Sequence, residues 1–358
     1  MISLKDFIIE QSNSYIKYDS KASILFVGDA MARPEQLEKA KNGSTYDFSG
    51  YYDNISEYIK SHDYSVVNLE TPIHSQEYFT KKESRPIFWA PESYLDELEK
   101  AGFNLFLTAN NHAQDQTKDG IMTTLWSLDQ RGLDHIGTYK DTYEKILKTP
   151  FIKEINNIKI AFLNYTYKTA DPKPNDGRYV NSIVDFIYIK QIEVDIKKSK
   201  EKGAEFIFVC LHWGKEHELI PGQEQKKLAK QILDFGANAI IGTHPHVIQP
   251  IIFENDKLIV YSLGNFVSCM KRNYHKAKDT KGGMIVEVNL IKDISGKVNI
   301  EDVKYRLIFT SLNNEKDNFE IKWVDDVNNK FAKDFRDEAR EFLSNNNLDV
   351  IEDIPQNS

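Results

Sequence analysis

The sequence predicts an α/β fold, and three observations carry that prediction. Apolar runs of strand length alternate with segments of helical period along most of the chain. Many of those runs close on a short polar cluster: Gly28-Asp29, Asn68-Leu69-Glu70, Asn110-Asn111-His112, His212-Trp213-Gly214, His244-Pro245-His246 and Gly264-Asn265. The third observation is size, since 358 residues is long for one domain but within the reach of a large α/β sandwich.

The elements follow in order. Residues 24–27 read as the first strand, 64–69 as the second and 105–108 as the third. Helical period marks residues 92–101 and 119–131, each stopped by a glycine, Gly102 and Gly132, where a helix C-terminus needs left-handed backbone. Asn156-Asn157 between the apolar runs 151–155 and 158–163 predicts a hairpin. A Pro, Asp and Gly-rich loop over 169–177 precedes a charged helix at 185–202 and a strand at 206–211. A helix at 223–235 and strands at 239–241, 247–253 and 258–261 come next. Beyond Gly282-Gly283 the pattern becomes a β-rich meander, then a charged helix at 329–344. No repeat or linker interrupts the chain. The expected organisation is a helical extension over 1–22, a main domain over 23–310, and a peripheral C-terminal strand and helix over 311–358 packed on it.

Composition narrows the function classes. A formal charge of -8 argues against a nonspecific nucleic-acid binder, and it repels an acidic polymer at long range. An anionic substrate must then be held locally, by a metal or by basic loop residues, for which Arg33, Lys81, Lys82, Arg85, Lys271 and Arg272 are available. Cys210 lies in an apolar run and reads as a buried structural thiol, whereas Cys269 follows Gly264-Asn265-Phe266 and falls near that cluster. Charged residues interrupt the N-terminus, and no apolar stretch is long enough to cross a bilayer. The sequence as written therefore reads as cytoplasmic, or as a cell-surface protein if it is a trimmed form.

Asp, Glu, Asn and His hold hard-to-borderline divalent ions, and strand ends are where an α/β sheet gathers its ligands. Singly, each cluster has a structural reading. Gly28-Asp29 makes a turn, Asn110-Asn111-His112 an Asx-turn, and His212 a core histidine. His244 and His246 are harder to absorb that way, because Pro245 breaks a regular ladder and i, i+2 spacing puts both imidazoles on one side of an extended segment. Ligand-type residues at five separate strand ends point jointly to one site. Carboxylates and imidazoles without thiolate favour Mn, Fe or Zn.

The strings FVGDAM, VVNLETPI, LTANNHAQD, LHWGKEHE, IIGTHPHVIQP and VYSLGNF, in that order over residues 23–290, resemble the CapA or PgsA family of bacterial capsule and poly-γ-glutamate biosynthesis. That family is similar in fold to the calcineurin-like metallophosphoesterases, which implies a four-layer αββα sandwich, a β-rich C-terminal extension and a centre of one or two divalent ions. The resemblance implies Asp29 and His246 as ligands of a first ion, Glu70 as the bridging carboxylate, and Asn111, His212 and His244 as ligands of a second. It implies His112 as the histidine that stabilises or protonates the reacting group, with Asp115 orienting it. Glu216 and Asn265 belong to the matching motifs and are implied around the site, and Arg33, in the loop after the first motif, is a candidate contact for an anionic substrate.

Two departures qualify the pattern. Met31 stands where the phosphoesterases carry a histidine ligand, and Glu70 is one methylene longer than their bridging aspartate. The implied activity is metal-assisted hydrolysis, by activated water, of a phosphoester or of a γ-glutamyl amide in an acidic polymer. The alternative is an accessory component of a membrane polymer synthase or exporter that uses the metal site for binding.

Overall fold

The computed structural model describes residues 18–75, 87–169, 182–269, 279–313 and 317–354. Of the expected elements, the 169–177 loop and the basic residues Lys81, Lys82, Arg85, Lys271 and Arg272 lie outside the described residues, apart from Thr169.

Strand β1 (Tyr18–Ala30) shows why two layers of sheet form. Ile24 and Phe26 enter one apolar cluster, while the alternating Leu25 and Val27 enter another. A strand apolar on both faces must be covered on both. Two short strands, β2 (Lys41–Asn42) and β3 (Thr45–Tyr46), make a small separate hairpin. The parallel strands β4 (Tyr64–Leu69), β5 (Leu105–Leu107) and β6 (Asp134–Ile136) continue outward from β1.

A second sheet contains β7 (Phe151–Ile155), β8 (Ile158–Thr166), β9 (Phe206–His212), β10 (Ala239–Thr243), β11 (Ile251–Glu254) and β12 (Lys257–Val260), ordered 11-12-10-9-8-7. Asn156 and Asn157, at φ 48° and 63°, make the tight turn between β7 and β8. Short β13 (Asn265–Val267) runs parallel to β1. On the other side of β1 lie the antiparallel β14 (Gly282–Asp293), β15 (Val298–Asn313) and β16 (Asn318–Trp323), while β17 (Ile351–Glu352) pairs with β15.

The sheets face each other across an apolar core containing Phe26, Val66, Phe162, Phe208, Ile241 and Val286. Helices α1 (Pro34–Ala40), α2 (Asp53–Lys60) and α3 (Glu92–Ala101) cover the outer face of the first sheet with Ala40, Ile55, Ile59, Leu95 and Leu98. Next in sequence come α4 (Thr117–Gln130) and the short α5 (Thr142–Lys148). On the second sheet, α6 (Ile189–Glu201) and α7 (Gln223–Phe235) contribute Ile192, Ile196, Ala229 and Ile232. The result is the four-layer αββα sandwich.

β14 pairs with β1 over most of its length, so the meander forms part of the first sheet, and residue 310 falls inside β15. Helix α8 (Lys330–Asn346) places Ala332, Phe335, Ala339 and Leu343 in the core between the sheets. Polar residues on exposed faces of these strands disguise their buried partners in the sequence. At the other end, β1 begins at Tyr18, inside the segment expected as a helical extension, and residues 1–17 lie outside the described residues.

Candidate metal centre

The parallel strands of both sheets bring their carboxyl ends to one edge. Asp29 lies near the end of β1, Glu70 directly after β4, and Asn111 and His112 in the turn after β5. His212 ends β9, and His244 and His246 follow β10. Backbone at this edge is irregular, which is how the side chains leave the sheet planes. Register shifts bracket Asp29 on both its β4 and β13 sides. Gly28 is required there, because a Cβ would sit 1.9 Å from the carbonyl oxygen of Gly264, whose acceptor bonds the Asp29 N–H at 3.1 Å. His244 and His246 adopt left-handed backbone, φ 97° and 57°. Such conformations in non-glycine residues persist only where the surroundings enforce them, and they turn both imidazoles inward.

The groups converge in a buried cluster. Asp29, Glu70 and His212 are fully buried, and His244 and His246 nearly so. Ligand atoms of Asp29, Glu70 and His246 lie within 4.8 Å of one another, as do those of Glu70, His212 and His244. Glu70 is common to both groups. Asn111 Oδ1 lies 3.0 Å from His212 Nε2, beside the second group.

Around these atoms, other side chains set orientation. Asn68 Nδ2 donates to Asp29 Oδ1 at 2.7 Å, and the His244 N–H to Asp29 Oδ2 at 3.2 Å. Thr243 Oγ1 is 3.0 Å from His212 Nδ1, so a ring donating there leaves the Nε2 lone pair facing the cluster. Asn265 Oδ1 is 3.0 Å from His246 Nδ1, and its amide donates to the Thr280 carbonyl at 2.7 Å. Asn265, expected against the substrate, is buried and holds His246 instead.

Charge is the outstanding feature. Burial, then the neighbouring Asp29, pushes the Glu70 carboxyl well above its usual range. Burial also pushes Asp29 upward, but hydrogen bonding and charge from His246, with His212 and Asn68, outweigh it and hold this carboxyl low. The His212 imidazole is dragged down by burial to about 3, and His244 well below its ordinary value by burial and the other histidines. Both rings are neutral at pH 7 and can offer lone pairs. Both oxygens of Glu70 and Nδ1 of His244 are buried and have no hydrogen-bond partner among the described residues. Unpaired buried polar atoms cost roughly 1–3 kcal/mol each, more when charged. A divalent cation satisfies all three at once, and the donor set of oxygens and imidazoles suits one.

His112 stands beside this cluster, its charge felt at His212 and His244. Its Nδ1 is 2.7 Å from Asp115 Oδ2, and the buried Asp115 also accepts the Phe88 N–H at 2.8 Å. The Phe88 ring packs edge-on to His112 at 4.6 Å, and the Arg33 guanidinium lies over the Phe88 ring, 4.9 Å from its centroid. Arg33 is half-buried, and its Nε has no hydrogen-bond partner. Glu216 reaches the site from the exposed loop after β9, its carboxylate within 4.8 Å of ligand atoms of His244 and His246.

Residues 23–270 match the family described as bacterial capsule synthesis protein PGA_cap. The chain belongs to that family. Among similar proteins, the capsule biosynthesis protein CapA of Bacillus anthracis is 29% identical over 269 residues, 73% of this chain and 63% of that protein. The PGA biosynthesis protein CapA of Bacillus subtilis (strain 168) is 27% identical over 288 residues, 80% of this chain and 72% of that protein. The chain thus spans less than two thirds of the length of the Bacillus anthracis relative. Among solved structures, the calcineurin-like phosphoesterase YfkN from Bacillus subtilis aligns with TM-score 0.48 and 13% identity over 91% of this chain and 98% of that one. NAD nucleotidase of Haemophilus influenzae aligns with TM-score 0.46 and 11% identity over 92% and 57%.

Several functional neighbours escaped the sequence reading. Asn68, named only as part of the Asn68-Leu69-Glu70 cluster, and Thr243 take their roles from partners that the sequence does not show. Tyr167 packs its ring 4.6 Å from His244 and borders a cleft of about 510 Å³ lined also by Trp213, Lys215, Ile220 and Gln225. Its signal was available, since β8 runs to Thr166, three residues past the expected end, which makes Tyr167 another strand-end residue. Cys210 lies in the core between the sheets, and neither cysteine is paired. No described helix is long and apolar enough to cross a membrane.

Proposed function

We propose that this chain is a metal-dependent hydrolase of capsule or poly-γ-glutamate biosynthesis, acting on a phosphoester or on a γ-glutamyl amide of an acidic polymer. One observation carries the reading: Glu70, fully buried between Asp29 and three imidazoles, with both carboxylate oxygens unpartnered. Asp29, Glu70 and His246 would hold one ion, and Glu70, Asn111, His212 and His244 a second. Mn, Fe or Zn suits these donors. When bound, the ions supply an acidified water and neutralise charge on the reacting group.

The chain's own residues do the rest. His112, held through Nδ1 by Asp115, presents Nε2 for charge stabilisation or proton delivery to a leaving group. Asp115 fixes that tautomer, and the Phe88 N–H fixes Asp115. Arg33 offers an unpaired guanidinium to an anionic group, anchored on Phe88. Tyr167 and the adjoining cleft of about 510 Å³ give the remainder of a substrate an aromatic wall.

A second reading, a non-catalytic component of a polymer synthase, is favoured by Met31, a poor ligand in place of an imidazole. Elemental analysis with an activity screen separates the two. The hydrolase reading expects bound transition metal and turnover of a generic phosphodiester or γ-glutamyl peptide. Metal without turnover, with co-purification of a membrane synthase, favours the second, and absence of metal defeats both.

A further inference from the structure

Resting on the two-ion reading above, we propose that Glu216 is a metal ligand, supplying from the β9 side the donor that Met31 removes from the first centre. Asp29, Glu70 and His246 form a group of only three protein ligand atoms there, and the residue two beyond Asp29 is a thioether. A first centre with three protein donors and no fourth is weak for Mn, Fe or Zn unless another side chain completes it.

Glu216 is positioned to do so. Its carboxylate, His244 and His246 form a third group of ligand atoms within 4.8 Å of one another, and this group shares His246 with the first centre. Its carboxylate is close enough for its charge to act on Glu70, Arg33 and Tyr167. His244, whose buried Nδ1 has no hydrogen-bond partner among the described residues, also belongs to this group, so Glu216 lies between the two centres, sharing His246 with the first and His244 with the second.

The loop carrying Glu216 is held rather than loose. The His217 N–H donates to the Pro245 carbonyl at 2.8 Å, tying the loop to the His244-Pro245-His246 turn. Gln249 Nε2 donates to the Glu218 carbonyl at 2.7 Å, and Gln225 donates to Gln249 Oε1 at 3.2 Å. Gly214 begins the loop at φ 92°, where a Cβ would sit 2.7 Å from Gln225 Nε2, so glycine lets that brace come close. The carboxylate itself is about half exposed, and its ion-pair partner among the described residues is the adjacent His217 imidazole at 3.6 Å. A fixed backbone with a side chain still able to swing inward suits a ligand that closes a site from its solvent side. Exchange of an imidazole for a carboxylate also hardens the centre, favouring Mn²⁺ over Zn²⁺.

The test counts ions in the full chain after equilibration with Mn²⁺, by elemental analysis and by titration. Wild type is expected to bind two ions, and Glu216→Ala and Glu216→Gln to keep one while the other weakens about 100-fold or more. Met31→His combined with Glu216→Ala is expected to restore the second ion, whereas Glu254→Gln on the edge strand β11 changes neither. Because Glu216 is exposed, its variants should keep the wild-type melting curve in the metal-free state. Two ions bound with wild-type affinity in both Glu216 variants would overturn the proposal. A wild-type protein that binds no ion refutes the two-ion reading itself, a result distinguishable from the first.

Discussion

Two regions of the first sheet each bury a glutamate among histidine and tyrosine or amide neighbours, and they differ in how the negative charge is met. Glu287, on β14, has both oxygens occupied: Asn289 Nδ2 donates to Oε1 at 2.6 Å, Tyr58 donates to Oε2 at 3.1 Å, and His62 Nε2 lies 3.3 Å from Oε2. The His62 hydrogen bond leads the effects that hold this carboxyl down to about 2. Beside it, the Arg306 guanidinium packs on Trp323 and Tyr58, at 3.5 and 4.9 Å from their ring centroids. Glu70, after β4, lies 3.4 Å from His212 Nε2 and 3.8 Å from His246 Nε2, yet makes no hydrogen bond, and its carboxyl is pushed up. One cluster is complete in itself and serves structure. The other carries a deficit of positive charge that the fold leaves for something bound from outside.

The largest expected effect follows directly. Glu70→Ala should cost metal affinity well beyond the roughly 100-fold typical of outer-shell changes, while Glu287→Ala leaves the metal count unchanged and lowers the melting temperature. Glu70→Gln should also melt higher than wild type when both are metal-free, because an uncompensated buried carboxylate is removed. Equal metal loss in the two alanine variants, measured by elemental analysis, would erase the distinction drawn between the clusters.

His112→Ala is expected to reduce turnover by about 10²–10⁴-fold with both ions retained, and Asp115→Asn by a smaller factor through the misplaced ring. Kinetics paired with metal analysis checks this. A variant that loses its ions along with activity would make His112 part of the metal-holding set instead.

Acid should separate the clusters by sign. The folded pKa of Glu287 is depressed to about 2 from 4.5, so its contribution to stability is present above pH 4.5 and is lost as pH falls toward 2. Glu70 acts oppositely in the metal-free protein: its raised pKa makes it most favourable to the fold at low pH, and that contribution is lost as pH rises. Denaturation across pH 2–6 with Glu287→Gln should therefore show a flatter acid limb than wild type. An unchanged limb would mean that exposure screens the His62 pair.

The smallest effect concerns orientation. Asn265→Ala removes one of the two oxygens facing His246 Nδ1, leaving Asp29 Oδ2 at 3.1 Å, and should weaken metal binding about 10-fold without abolishing it, read by titration.

Much of the architecture was legible in local pattern. Helices Glu92–Ala101 and Gln223–Phe235 and strand Tyr64–Leu69 begin and end where period and capping glycines or polar residues place them. Strand β6 and the short helices α1, α2 and α5 went unnamed, because three to eight residues carry too little periodicity to stand out. The pairing of β14 with β1, which joins the C-terminal strands to the first sheet, depends on neighbours remote in sequence.

At the site, residue types and their places at strand ends were written in the chain, since a parallel sheet sends its carboxyl ends to one edge and ligand-type residues there have few other uses. What the chain could not specify by itself was who meets whom. That Asn265 holds His246, that Tyr167 walls His244 and that the Glu216 carboxylate comes within 4.8 Å of His244 and His246 are facts of register, bulge and left-handed turn. Distances of a few ångströms decide between ligand, support and bystander, and only the packing of two sheets against each other sets them.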